Sequence, residues 1–198
     1  KGEKVAKSKV GMVFQYPEHQ LFDETVFSDI AFGPRNLGLQ DKEIEQRVRR
    51  AMDFVKLDFD IYGNRSPFQL SGGQMRRVAI AGVMALEPKY LILDEPSAGL
   101  DPRAKQQILG QIKKLHETTD TTVILISHDM DEIAELATRL IVMNEGQILL
   151  DGKPQELFQN QRDCLKQAGV DVPSVTQLLI LLKEQAMSVD TSILTTEA

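Results

Sequence analysis

The 198-residue chain is poor in cysteine and has no excess of positive charge. Its single cysteine, Cys164, cannot form a disulfide within the chain, and no signal peptide opens the sequence. We therefore expect a reducing, cytoplasmic setting with no special role for Cys164. The 23 basic and 29 acidic residues give a net charge of -6. Because sequence-independent nucleic-acid binding needs a broad positive surface, we expect no nucleic-acid partner.

Long apolar runs are also missing. Stretches such as LLILL at 178–182 fall far short of the ~20 residues that a membrane-spanning helix needs. Any membrane role is therefore expected to be played from the surface or through a partner. Hydrophobic residues make up 42% of the chain, which is enough for one sizeable core or for a core with a small appendage.

Short runs rich in leucine and β-branched residues predict β-strands. Several of these runs lack the alternation of a half-exposed strand, and stretches with helical periodicity separate them. This pattern predicts an α/β fold with a mostly parallel sheet buried on both faces, and Asn144-Glu145-Gly146 predicts a tight turn between the last two strands. The predicted strands are 10–14, 90–94, 122–127, 139–143 and 147–151.

Apolar residues at helical spacing predict an amphipathic helix over 41–57 and further helices over 73–86, 102–117 and 129–137. The arginines of the first helix could form a basic patch, but acidic residues sit among them, and a solvated helix face is favoured. The arginines are Arg47, Arg49 and Arg50.

The composition changes near residue 152. Residues 159–175 are polar and typical of a loop, and 174–187 return to helical spacing with leucines such as Leu178 and Leu182. We predict a main domain over 1–152 and a helical extension over 153–198.

Two adjacent carboxylates, Asp94 and Glu95, end the apolar stretch YLILDE. Open α/β sheets bind ligands at the carboxyl ends of their strands. One carboxylate can hold Mg²⁺, directly or through water, while its neighbour orients or deprotonates a water that attacks a γ-phosphate. Taken alone, DEP fits an ordinary strand end before a proline turn about equally well.

The stretch LSGGQ at 70–74 places a hydroxyl and two glycines immediately before a predicted helix. Glycines allow backbone N–H groups to approach a phosphate, and the N-terminus of a helix favours anions. Ser71 can cap that helix and donate to an oxygen. A simple Gly-Gly turn would be slightly favoured without DEP further along the chain.

Two more polar residues follow predicted strands. His128, in LISHD, could hydrogen-bond a γ-phosphate or the attacking water, and Gln15, ending VGMVFQ, could contact a metal and a nucleophilic water. Each would mean little by itself. His19 and His116 have no such setting, and we expect them at the surface.

Over residues 10–151 these motifs resemble the nucleotide-binding ATPase subunit of an ABC transporter. Gln15 is similar to the Q-loop, LSGGQ to the signature, YLILDE to the Walker B strand, SAGLD to the D-loop and His128 to the switch histidine. The resemblance implies ATP and Mg²⁺ as cofactors, with Glu95, His128 and Gln15 catalytic, and with Asp94 and Gln15 at the metal. The implied nucleotide contacts are Ser71, Gly72, Gly73, Gln74 and Asp101.

Residues 14–39 and 70–88 more narrowly resemble the ATPases of energy-coupling factor (ECF) transporters, which import vitamins or transition-metal ions such as cobalt and nickel. This implies a P-loop NTPase-like fold with a helical signature subdomain over about 24–88, and a C-terminal helical extension that contributes to dimer contacts. It also implies a second ABC ATPase subunit, a membrane coupling subunit and a substrate-binding membrane subunit at the cytoplasmic face of the cell membrane. The transported substrate and the choice between homodimer and heterodimer are not encoded in these motifs.

The family's P-loop, G-x-x-x-x-G-K-S/T, has no counterpart in the 198 residues. In GPRNLG at 33–38 the glycine spacing fits, but Leu39 replaces the lysine and Pro34 removes a backbone donor. We expect a truncated chain that supplies LSGGQ to a nucleotide held by an intact partner and that binds ATP weakly alone. The alternatives are a soluble ABC ATPase of DNA repair or translation and a non-catalytic interaction fragment.

Overall fold

The structure is a computed structural model that describes residues 9–196, and it contains two compact units divided between Ile126 and Ser127. The strands are β1 (Val10–Val13), β2 (Tyr90–Asp94), β3 (Thr122–Ile126), β4 (Leu140–Asn144) and β5 (Gln147–Gly152). The first unit contains α1 (Val26–Asn36), α2 (Asp41–Phe54), α3 (Phe59–Tyr62), α4 (Gly72–Met84) and α5 (Pro102–Thr118). The second contains α6 (Met130–Leu136), α7 (Pro154–Asn160), α8 (Arg162–Gln167) and α9 (Ser174–Glu184).

The first unit is built on a parallel sheet with the order β1-β2-β3. Its central strand is buried, with Leu91 and Leu93 each 1% exposed. Gly11 lets β1 approach the end of α4, because a Cβ there would lie 2.7 Å from Cγ1 of Val83. The predicted α/β class and the parallel pairing of these strands are confirmed.

Helices α1, α2 and α4 pack together through fully buried residues, among them Ile30, Val48 and Val78 at 0% exposure. The arginines of α2 differ from the simple solvated face that the sequence predicts. Arg47 is only 16% exposed and bridges Glu43 and Glu87, while the more exposed Arg49 and Arg50 also make ion pairs.

Residues 33–36 of the rejected P-loop candidate lie inside α1, with Pro34 in the helix. The prediction of burial on both faces is wrong for β3, where Ile124 and Ile126 are each 48% exposed. The exposed residues of β3 alternate with the half-buried Val123 and Leu125, so one face of this strand is left uncovered in the part of the chain that the structure describes.

The second unit contains the hairpin of β4 and β5, which pair antiparallel around Glu145 and Gly146. Both turn residues have positive φ, 49° and 77°, as a tight turn of this kind requires. The turn predicted at 144–146 is therefore confirmed.

The loop predicted over 159–175 is wrong for its first part, which contains the end of α7 and all of α8. Helix α8 has a single fully buried anchor, Leu165 at 0% exposure, and its polar residues obscure helical periodicity. Asp131 of α6 accepts hydrogen bonds from the N–H and Oγ of Ser174 at 2.8 and 2.7 Å, which ties the start of α9 to α6.

In α9 only Thr176 is buried, and Leu178 is 56% exposed. The domain boundary at 152/153 stays a prediction. None of the helices within residues 9–196 has both the length and the apolar character needed to cross a bilayer.

Candidate nucleotide site

Gln15 and Asp94 follow neighbouring parallel strands at the same edge of the sheet. Val13 of β1 pairs with Leu93 of β2, so Asp94 lies one residue beyond this pair and Gln15 two residues beyond it. Gln15 is exposed and Asp94 is half-buried. The register therefore brings an amide and a carboxylate, both oxygen donors, to the edge at which α/β sheets bind ligands.

Glu95 begins the turn after β2 with a left-handed backbone, φ 48°. Its N–H donates to the carbonyl of Ile126 at 2.9 Å, and its carbonyl accepts from the N–H of Ala98 at 3.1 Å. A positive φ is unfavourable for a glutamate and persists only where surrounding contacts hold it. Hydrogen bonds thus hold the backbone of the half-buried Glu95 at both its N–H and its carbonyl.

The signature residues form the capped start of α4. Oγ of Ser71 accepts from the N–H of Gln74 at 3.3 Å, and Oε1 of Gln74 accepts from the N–H of Ser71 at 2.9 Å, which completes a capping box. Nε2 of Gln74 also donates to the Tyr62 hydroxyl at 3.2 Å. The cap that the sequence predicts at Ser71 is confirmed, and Tyr62 is a supporting residue that no sequence motif indicates.

Packing within the first unit does not explain the two glycines of the signature. A Cβ at Gly72 would meet no atom within 4 Å, and one at Gly73 would meet only Leu100, at 4.0 Å. Neither glycine has a positive φ, so backbone conformation does not require glycine at either position. The open space in front of α4 fits the close approach of a phosphate to backbone N–H groups.

Asp101, the last predicted nucleotide contact, caps the next helix. Its Oδ1 accepts from the N–H groups of Arg103 and Ala104 at 3.0 Å each, at the start of α5. Asp101 is exposed, and Gly99 ahead of it has φ 74°. This structural role accounts for part of the side chain's hydrogen bonding, and a nucleotide contact of Asp101 stays a prediction.

His128 belongs to the second unit and is exposed. The residues beside it are held in place: Ser127 Oγ donates to Glu132 Oε2 at 3.0 Å, and Asp129 caps α6. Glu95 belongs to the first unit, and the grouping of His128 with Glu95 stays a prediction.

Magnesium fits the donor set at the strand edge. Within residues 9–196 the side chains of His, Cys, Asp and Glu form no group of three or more that could hold a metal. Mg²⁺ is usually bound by one or two protein oxygens with water and substrate phosphates, rather than by a cage of side chains. Asp94 and Gln15 offer such a partial set.

Sequence reasoning missed a buried arginine beside these turns. Arg76 of α4 is 2% exposed, and its Nε lies 3.1 Å from Oε2 of Glu18. Its Nη1 donates to the carbonyl of Ala98, and its Cζ lies 5.7 Å from the centre of the Tyr16 ring. An arginine gives no signal in the sequence that it is buried, because arginine is usually exposed.

Comparisons with known proteins place the fold in the class of ABC transporter ATP-binding proteins. The ABC transporter family model matches residues 1–98. In the structure titled cbiO1 from Clostridium perfringens, part of the ABC transporter complex cbiONQ, the similar fold covers 92% of this chain and 67% of that one, with TM-score 0.73 and 33% identity.

Curated relatives narrow the class. The energy-coupling factor transporter ATP-binding protein EcfA2 of Clostridium tetani is 54% identical over 191 residues, 96% of this chain and 66% of that protein. EcfA2 of Acetivibrio thermocellus is 47% identical over 192 residues, 97% of this chain and 68% of that protein. The chain belongs to the family of energy-coupling factor transporter ATP-binding proteins. It spans about two thirds of the length of these relatives.

Proposed function

We propose that the protein hydrolyses ATP to power an ECF-type ABC importer. The observation that carries this proposal is the open start of α4, where Gly72 and Gly73 are required neither by packing nor by backbone conformation. The acidic pair at the end of β2 and the family membership support the same chemistry.

The roles of the residues follow from their chemistry. When bound, Mg²⁺ would be held by Asp94 and Gln15, and it would neutralise charge on the phosphates. Glu95 orients or deprotonates the attacking water, and His128 hydrogen-bonds the γ-phosphate or that water. The start of α4, with Ser71, presents backbone N–H groups to the phosphates.

The nucleotide is proposed to lie between two ATPase subunits, with the signature of one subunit facing the P-loop of the other. Because a nucleotide that bridges two subunits draws them together, ATP binding closes the pair and product release reopens it. Asp101 is proposed as a further nucleotide contact at this junction.

A membrane coupling subunit is proposed to bind near the Q-loop, at the cytoplasmic face of the cell membrane. Four phenylalanines of the first unit are 47–62% exposed, and the rings of Phe22 and Phe32 meet edge to face with centroids 4.9 Å apart. Contiguous exposed apolar surface marks protein interaction sites, and the touching rings of Phe22 and Phe32 provide a small patch of this kind. The four are Phe14, Phe22, Phe32 and Phe68. A separate substrate-binding membrane subunit would select a vitamin or a cobalt or nickel ion.

The test uses two proteins: the chain itself, and a P-loop-bearing form in which the P-loop segment of a family member precedes Lys1. We expect MgATP hydrolysis by the P-loop-bearing form within its transporter. The chain itself should bind MgATP about 100-fold more weakly or worse, because the phosphate cradle supplies several charge-assisted hydrogen bonds. Absence of hydrolysis in the assembled transporter would refute the proposal.

ATP hydrolysis measured after the chain is added to an intact partner ATPase distinguishes a chain that completes a nucleotide site from an inert fragment. Stimulated hydrolysis is expected, and Gly73→Leu should remove the stimulation because its side chain fills the space before α4. Unchanged hydrolysis would favour a non-catalytic fragment, and salt-sensitive nucleic-acid binding would favour a soluble ATPase of another kind.

A further inference from the structure

Arg76 joins three segments of the first unit at one buried guanidinium. It lies on α4, the helix that begins with the signature, and it pairs with Glu18 through Nε at 3.1 Å and Nη2 at 3.5 Å. Nη1 donates to the Ala98 carbonyl, in the turn that follows β2. Tyr16 directly follows Gln15, and the centre of its ring lies 5.7 Å from Cζ of Arg76.

Burial makes these contacts obligatory. A guanidinium stays protonated, and at 2% exposure its charge requires partners from the protein. Glu18 supplies the countercharge from a position 58 residues away in sequence, with its own side chain 18% exposed. Arginine's planar fork can reach a carboxylate and a carbonyl at once, which lysine's single ammonium cannot match.

The hydrogen bonds of Arg76 connect to Glu95 through one residue, Ala98. Ala98 accepts from Arg76 through its carbonyl, and its N–H donates to the Glu95 carbonyl at 3.1 Å. Tyr16 and Glu95 are also the residues with positive φ at the ends of β1 and β2, at 55° and 48°. Arg76 therefore contacts both turns in which an unfavourable backbone conformation must be held.

We infer that Arg76 is a positioning residue that fixes the turn after Gln15 and the turn after Glu95 to the helix that carries the signature. The inference rests on the proposed ATPase function. Movement of α4 would then carry both turns with it, and the catalytic carboxylate would keep its orientation as the subunits close. Arg76 is buried among protein groups and is expected to affect turnover rather than nucleotide affinity.

The simpler interpretation is that Arg76 only stabilises the fold, and Arg47 provides a matched control. Arg47 is also part-buried, pairs with Glu43 at 2.9 Å and donates to the Leu86 carbonyl at 3.3 Å. It therefore joins a carboxylate and a carbonyl in the same unit without contacting either turn.

The experiment compares Arg76→Gln, Arg76→Lys and Arg47→Gln in the P-loop-bearing form within its transporter, with kcat, KM for ATP and Tm measured for each. For Arg76→Gln we expect kcat to fall about tenfold or more and KM to change less than about twofold, in line with the loss of charge-assisted hydrogen bonds. Arg76→Lys, which keeps the buried charge and guards against misfolding, should lower kcat about threefold or more.

Arg47→Gln should lower Tm to a similar extent and leave kcat within about twofold. Equal losses of kcat in the Arg47 and Arg76 variants, or wild-type kcat in Arg76→Lys, would overturn the positioning role. If the unsubstituted transporter hydrolyses no ATP, the proposed function itself fails, and the inference falls with it. If the unsubstituted transporter is active and kcat in Arg76→Gln stays within about twofold of its value, the inference alone is refuted.

Discussion

Each unit buries some apolar residues and exposes others, and the packed helices of the first unit differ in this respect from the hairpin and the last described helix of the second. In the first, Ile30, Val48 and Val78 are fully buried beneath helices that support the candidate site. In the second, Met143 of the hairpin and Leu178 of α9 are 60% and 56% exposed. Apolar periodicity therefore indicates which face of an element is hydrophobic, but the surrounding elements decide whether that face is covered.

The proposed catalytic groups are divided between the units, which gives the largest expected effects. In the P-loop-bearing form, Glu95→Gln should lower kcat about 10²–10⁴-fold, because it removes the proposed base. His128→Ala should cost about 100-fold through the loss of a hydrogen bond to the reacting groups. Steady-state ATP hydrolysis measures both effects.

His116→Ala is the matched control, since His116 is an exposed histidine on α5. Its kcat should equal that of the parent protein. Full activity in His128→Ala would confine the chemistry to the first unit, and full activity in Glu95→Gln would remove Glu95 from its proposed role.

Two leucines test the contrast within the second unit. Leu165→Ala, at 0% exposure, should lower the free energy of unfolding by about 2–5 kcal/mol because it leaves a cavity. Leu178→Ala, at 56% exposure, should change it by less than about 0.5 kcal/mol. Urea unfolding of the chain measures both, and a large loss for Leu178 would mean that α9 is covered in solution.

Two glycine-to-alanine substitutions, one in each unit, compare how much stability is lost when a methyl group is added. Gly11→Ala should cost about 1–3 kcal/mol of unfolding free energy, because the new Cβ would lie 2.7 Å from Val83. Gly152→Ala in the second unit should cost less than about 0.5 kcal/mol, since its Cβ would lie 3.4 Å from Leu157, an ordinary contact. Equal urea midpoints for the two variants would contradict the closer contact at Gly11.

The smallest expected effect lies on the exposed hairpin. Hydrogen bonds from Arg139 lower the pKa of Asp151 below its ordinary value of 3.8. A lowered folded-state pKa contributes stability above the unfolded value, and this contribution is lost as the pH falls through the folded value. The Tm difference between the chain and Asp151→Asn should therefore be small at neutral pH, begin to shrink below pH 3.8 and vanish below the lowered folded-state pKa. A difference that grows in acid would contradict this assignment.

Strong local signals allowed much of the fold to be predicted. Strand β2 spans 90–94 as expected, because a continuous apolar run meets polar residues and Pro96. Helix α8 was missed because Leu165 is its only buried residue. The exposure of Ile126 depends on which elements cover each face of β3, and the periodicity of one segment cannot reveal that.

The candidate site likewise combines residues whose roles local patterns predict with residues whose roles they do not. Ser71 and Asp101 cap helices, and short-range patterns predict such roles. Arg76 and Glu18 are 58 residues apart, and their pairing follows only from the packing of α4 against the turn after β1. Local pattern thus identifies groups that face a ligand more readily than groups that hold those in place.

The double hydrogen bond from Ser174 to Asp131 has a consequence for cooperativity in the second unit. Detachment of the start of α9 must break both bonds, so the opening of α9 is coupled to that of α6 at this point. Amide protons of the two helices should therefore exchange with solvent in shared opening events, as in a single cooperative unit.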